Sequence, residues 1–149
     1  MYYQVYRDDF MISTDPGRLN IGFVHAFLSM ESHWAKGIPL ATVQRSIEHS
    51  LCFGVFAAGE QIGFARVISD FATIAYLGDV FITKSYRGRG LSQWLMEAIL
   101  LHPGLQGMRR WILVTADAHG LYEKYGFRKL KSPEQYMELL NPNVYAQNR

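Results

Sequence analysis

From Val80 to Gln93 the sequence reads VFITKSYRGRGLSQ: an apolar run suited to a strand, a short basic loop with two glycines, then the start of an amphipathic segment. A strand that turns directly into a helix through such a loop favours a sheet with helices packed on it. It also aims several free backbone N–H groups and the positive end of the helix dipole at one point. Gly88 and Gly90 let the backbone approach an anion closely, and Arg87 and Arg89 add charge. The loop is not a Walker A loop, because no GxxxxGK[ST] occurs. Nor is it a dinucleotide fingerprint, because the place of the third glycine holds Gln93. The competing reading is an ordinary strand-to-helix turn with solvated arginines.

The flanking pattern extends this unit. Tyr3 to Arg7 reads as a strand, Asp15-Pro16-Gly17 as a turn, and Gly22 to Ser29 and Leu40 to Ser50 as helices. Leu51 to Ala57 and Gln61 to Ser69 form a hairpin around Gly59, and Ile74 to Ile82 is a longer, central strand. Gly78 within it predicts a bulge. Leu91 to Leu101 carries Leu91, Trp94, Leu95, Ala98 and Ile99 at helical core spacing. Trp111 to Thr115 is a buried strand, Asp117 to Tyr125 a short helix closed by Gly126, and strands are predicted near Phe127 to Leu130 and Tyr136 to Leu140. The expected fold is α/β: one mixed sheet flanked by about four helices. No linker interrupts residues 1–149, so a single domain is predicted.

Composition narrows the chemistry. A net charge of +2 and one short basic cluster argue against a nucleic-acid partner. The single cysteine, Cys52, lies in an apolar run, and the five histidines show no metal spacing, so neither a disulfide framework nor a bound metal is expected. MYYQVYRDDF lacks the features of a signal peptide and no apolar run reaches membrane-spanning length, which predicts a cytoplasmic protein with no membrane partner.

Two motifs carry a family resemblance. Arg87-Gly88-Arg89-Gly90-Leu91-Ser92 resembles the pyrophosphate loop [RQ]xxGx[GA] of GNAT (Gcn5-related N-acetyltransferase) enzymes, with Ser92 in place of the usual Gly or Ala. Ala118 to Phe127, AHGLYEKYGF, resembles the family element A-x-x-L-Y-E-K-x-G-F, one helix and one strand downstream. The likeness is good from Leu51 to Leu140 and holds only in layout before that.

The resemblance implies an acetyl-CoA-dependent N-acetyltransferase. Its central strand would splay from a neighbour at Gly78-Asp79-Val80-Phe81-Ile82. The backbone of Val80 and Ile82 would then hold the pantetheine arm, and one N–H would polarise the thioester carbonyl. Arg87, Gly88, Arg89, Gly90, Leu91 and Ser92 would hold the pyrophosphate. Tyr122 matches the tyrosine that protonates the departing thiolate; an ordinary phenol has a pKa of ~10. Thr115 stands where the family has an asparagine, and its hydroxyl offers the cofactor arm one contact.

The general base is open between Asp79, Asp117, His119, Glu31, His33 and a water chain. Trp34 either lines an acceptor pocket or covers the edge of the core. The acceptor is expected to be a small-molecule amine or a peptide amine, attacking directly in a ternary complex. The alternative function is a non-catalytic acyl-CoA-binding module, against which the presence of Tyr122 argues. A homodimer is compatible with the short terminal strands, whose edges are free to pair.

Overall fold

The computed structural model describes residues 1–146. Six strands form one sheet in sequence order: β1 (Gln4–Arg7), β2 (Phe10–Ser13), β3 (Leu51–Ala57), β4 (Glu60–Ser69), β5 (Ile74–Ile82) and β6 (Arg110–Leu113). Neighbours from β1 to β5 are antiparallel, and β5 and β6 are parallel. The parallel step is the one that needs a crossover, and α3 (Leu91–Leu101) supplies it. Helix α1 (Ile21–Ala26) runs into a π-helical turn at Phe27–Glu31; α2 is Leu40–Glu48 and α4 is His119–Glu123. This is the expected mixed sheet with four helices.

Strand alternation divides the apolar residues between two layers. Phe53, Val55, Ala65, Val67, Ala75 and Leu77 face α3, where Leu91, Trp94, Leu95, Ala98 and Ile99 meet them. On the other face Cys52, Phe64 and Phe81 pack with Val24, Phe27 and Leu28 of the α1 segment and Val43 and Ile47 of α2. Helix spacing thus matches the burial: Val43 and Ile47 are one turn apart, and α3 is apolar on most of its circumference because it lies over the sheet centre. Asn20 starts α1, its side chain accepting the Phe23 N–H at 3.0 Å.

Three expectations fail locally. The chain between Arg7 and Asp15 contains β2: Asp8, in the left-handed region at φ 52°, turns Tyr6-Arg7 back so that Phe10 pairs with Arg7. The four-residue FMIS segment is too short to announce itself, and the Asp8-Asp9 turn lacks the usual glycine. Helix α4 covers only His119–Glu123, although Gly126 (φ 97°) ends the turn as expected, with the Phe127 N–H bonded to the Tyr122 carbonyl at 3.2 Å. Neither closing strand forms: residues 127–130 and 136–140 are irregular, because neither stretch has a neighbouring strand to bond to.

Candidate functional site

The bulge expected at Gly78 exists one residue later. Phe64 pairs with Phe81 and Arg66 with Gly78, so the single residue Ala65 opposes both Asp79 and Val80. Asp79 absorbs the extra residue in the left-handed region, at φ 54°. Asp is one of the few non-glycine residues that tolerate this. Gly78 has another use: a Cβ there would sit 3.2 Å from the Tyr76 ring.

The bulge coincides with a fork in the sheet. Strand β5 pairs with β6 only from Ile74↔Arg110 to Leu77↔Leu113, while its pairing with β4 continues to Gly63↔Ile82. The Thr83 N–H donates to the Ile62 carbonyl at 2.8 Å. By alternation, the main-chain groups of Val80 and Ile82 therefore face away from β4, into the open arm of the fork. The bulge also sets side-chain direction. Ile82 joins the α3-side cluster with Leu91 and Tyr122, Val80 packs against it, and Phe81 stacks on Phe27 on the other face at 3.7 Å between ring centroids.

The fork leads straight into the glycine loop. Gly88 (φ 79°) and Gly90 (φ 74°) are both left-handed, and Gly90 caps α3. A Cβ at either position would meet nothing within 4 Å, so backbone conformation and not space demands glycine. The Arg87 Nε donates to the Ile82 carbonyl at 2.9 Å, fastening the loop to the end of β5. Arg89 lies over the Tyr86 ring at 5.0 Å. The N–H groups of Leu91, Ser92 and Gln93 have no acceptor among the described residues; the first helical bond is Trp94 N–H to the Gly90 carbonyl, 3.1 Å. The loop thus presents unpaired N–H groups, the positive helix end and two guanidinium groups together.

On the other arm of the fork stand Thr115 and Tyr122. The Thr115 hydroxyl accepts the Ala118 N–H at 3.0 Å and starts the turn into α4. Tyr122 is buried, its ring edge-on to Phe127. Burial pushes the Tyr122 phenol above its ordinary pKa, and the nearby Asp117 carboxylate adds to the shift. Both residues line a cavity of about 450 Å³ with Trp111, Leu113 and His119.

Asp79 is engaged. Its Oδ2 accepts from the Arg66 Nε at 2.8 Å and its Oδ1 from the Trp34 Nε1 at 2.9 Å, and the side chain is 12% exposed. Arg66 also donates to the Ser50 hydroxyl at 3.2 Å. Sequence reasoning passed over Arg66, since nothing marks one arginine in a strand until the hairpin register sets it opposite Gly78. Trp34 covers the edge of the core: its indole N–H is tied to the bulge, its ring leans on Phe27, and 45% of it stays exposed. Glu31, His33, Asp117 and His119 are exposed side chains. Among the described residues no group of three or more His, Cys, Asp or Glu side chains is placed to hold a metal. No helix among them is long and apolar enough to cross a membrane. The lone Cys52 is buried, which pushes its thiol pKa up to about 12.

Known proteins share this fold. A crystal structure of a GNAT-family protein from Xanthomonas campestris pv. campestris is 54% identical, spans 95% of this chain and 99% of its own, and superposes with a TM-score of 0.91. A Gibberella zeae protein named "Putative acetyltransferase FG08082" is 31% identical over 140 residues, 79% of this chain and 78% of its own. A GNAT acetyltransferase of Elizabethkingia anophelis, solved with acetyl-CoA bound, shares the fold at 17% identity and a TM-score of 0.61 over 92% of this chain and 91% of its own. The sequence pattern of the acetyltransferase (GNAT) domain matches residues 48–129, from the end of α2 past α4, which takes in the fork, the glycine loop and Tyr122. With more than half of the chain inside that pattern, the protein belongs to the GNAT acetyltransferase family.

Proposed function

We propose that the chain transfers the acetyl group of acetyl-CoA to a primary amine on a small acceptor, by direct attack in a ternary complex. The fork carries this reading. Above Leu77↔Leu113 the strand β5 has lost β6 as a partner, and its open backbone edge runs directly into the anion-ready start of α3. An extended arm ending in a pyrophosphate fits such a surface: the arm lies along Val80 and Ile82 as an added strand, and the phosphates meet the loop of Arg87, Gly88, Arg89 and Gly90 with the N–H groups of Leu91 and Ser92. Phe81 backs the arm from the other side: its backbone pairs with Phe64 of β4 and its ring stacks on Phe27.

The chemistry follows from that pose. The amine nitrogen attacks the thioester carbon, and a backbone N–H beside Val80 stabilises the oxyanion. The carbon–sulfur bond breaks, and the Tyr122 phenol, kept protonated by burial, donates to the departing thiolate. Thr115 orients the arm while holding the turn into α4. The amine proton leaves through water. Asp79, with both oxygens occupied, acts as a positioning residue: it pins the bulge to Arg66 and to Trp34, which borders the acceptor side. The Tyr122→Phe variant tests the acid role. It should still be stabilised by acetyl-CoA and should lose about a hundredfold in kcat. Parental turnover would remove Tyr122 from the mechanism.

A further inference from the structure

A second hollow, of about 930 Å³, lies away from the fork, beside the start of β3. The β1–β2 hairpin supplies one wall, where the Tyr3 N–H donates to the Thr14 hydroxyl and the Thr14 N–H to the Tyr3 carbonyl, both at 3.0 Å. The start of α1, the last turn of α2 and the residues after α3 close the rest. The lining is mostly apolar, with Ile21, Ile47, Leu51 and Pro103 beside the rings of Tyr2 and Tyr3. A hollow of this size and lining suits a small organic molecule.

Its charge is one-sided. Burial keeps the Cys52 thiol and the His102 ring uncharged at neutral pH, which leaves Glu48 as the charged side chain on the wall. Glu48 is exposed at the rim and is the last residue of α2, where the helix presents its negative end. A carboxylate is poorly placed there unless a cation answers it. Among the described residues no ion pair or hydrogen bond reaches the Glu48 side chain. A carboxylate, a helix C-terminus and two aromatic rings around an apolar hollow together favour a positive ligand.

We propose that this cavity binds a small organic cation, a protonated amine on an aromatic or branched apolar body, at a site separate from the acetyl-CoA surface. The ammonium faces Glu48 and the end of α2, and the body lies against Tyr2, Ile21, Ile47 and Leu51. Helix α3 sets the two sites apart: Gly90 caps its start, His102 follows its end, and its 11 residues span about 16 Å. Arg66 stands between the cavity and the bulge, donating to the Ser50 hydroxyl on the cavity wall at 3.2 Å and to Asp79 at 2.8 Å. That guanidinium repels an ammonium moving from Glu48 toward the fork, so the cavity is a site of its own and not the acceptor's seat.

Calorimetric titration of the full chain with N,N-dimethylphenethylamine tests this, since that tertiary amine is protonated at neutral pH and cannot form an amide. One site per chain is expected, with a Kd of about 1 mM for so small a ligand. The anion 3-phenylpropionate, of similar shape, should not bind. Glu48→Gln changes an exposed side chain and should weaken the amine roughly tenfold. Tyr2→Ala removes a wall and should weaken it about threefold, whereas Glu60→Gln, exposed at the start of β4, should bind as the parent does. Saturating CoA should leave the amine's affinity unchanged. No binding of the amine by the parent, equal binding of the anion, parental affinity in Glu48→Gln or Tyr2→Ala, or displacement of the amine by CoA would each overturn the proposal. A protein that binds the amine but not CoA would sink the acetyl-transfer reading alone, and one that binds CoA but not the amine would sink this proposal alone.

Discussion

At position 79 three demands meet on one residue. The bulge needs a left-handed backbone, the strand face carries Arg66, and the segment after α1 brings in the Trp34 indole. An aspartate meets all three, and the Asp79→Asn variant separates them. Asparagine tolerates the backbone equally well, so the expected damage is the lost charge on the Arg66 bond, about 2 kcal/mol for a hydrogen bond between charged groups. Chemical denaturation measures that loss. As a positioning residue, Asp79 should shift KM for the amine more than the pH dependence of kcat. An acidic limb of the pH–rate profile that vanishes in Asp79→Asn would make it the base after all. Trp34→Phe keeps the ring and removes the donor; it should raise KM for the amine and leave acetyl-CoA binding unchanged.

The loop and the fork are the elements on which the reading stands, and they were the most legible in the sequence. Gly88 and Gly90 sit between a strand and a helix, and only that context makes a glycine pair into a phosphate cradle. Gly90→Glu puts a side chain into the left-handed region and a carboxylate at the helix N-terminus, facing the expected phosphate. The left-handed backbone costs a non-glycine residue roughly 1–2 kcal/mol and the Cβ meets nothing within 4 Å, so the variant should fold at reduced stability and should lose all stabilisation by CoA. Calorimetry showing parental CoA binding would move the cofactor elsewhere. The bulge at Gly78 was foreseen, but its left-handed residue, Asp79, was not, because periodicity marks glycine and cannot see which neighbour absorbs an extra residue. Strand β2 stayed hidden because FMIS is four residues long and follows an Asp-Asp turn. The closing strands at 127–130 and 136–140 were read from β-type residues alone. A strand is a property of a pair, and the described chain offers these two no pairing.

Across the described residues, two apolar layers sandwich one sheet, and the proposed functional surface is where the sheet opens. Such a design leaves a few titratable groups in the packing. His102 follows α3; its Nδ1 accepts the Gly104 N–H at 3.0 Å, and its ring meets Tyr3 and Phe53 edge-on. Burial holds its pKa below the ordinary value of ~6.5. Between the depressed and the ordinary value, the unfolded chain binds a proton that the folded chain refuses. Stability should therefore fall as the pH drops below about 6.5, with no contribution from His102 above that value. Thermal melts of the parent and of His102→Phe across pH 5 to 8 check the sign: the variant should lose part of this acid sensitivity. An unchanged slope would assign it to other groups.

The central claim is that the fork and the glycine loop together hold acetyl-CoA. Thermal melting of the protein with acetyl-CoA, with CoA and with ATP, side by side, tests it most directly. The melting temperature should rise clearly with both CoA species and change little with ATP, since ATP offers phosphates to the loop but no arm to lie along Val80 and Ile82. A protein that melts at the same temperature with and without acetyl-CoA would contradict it.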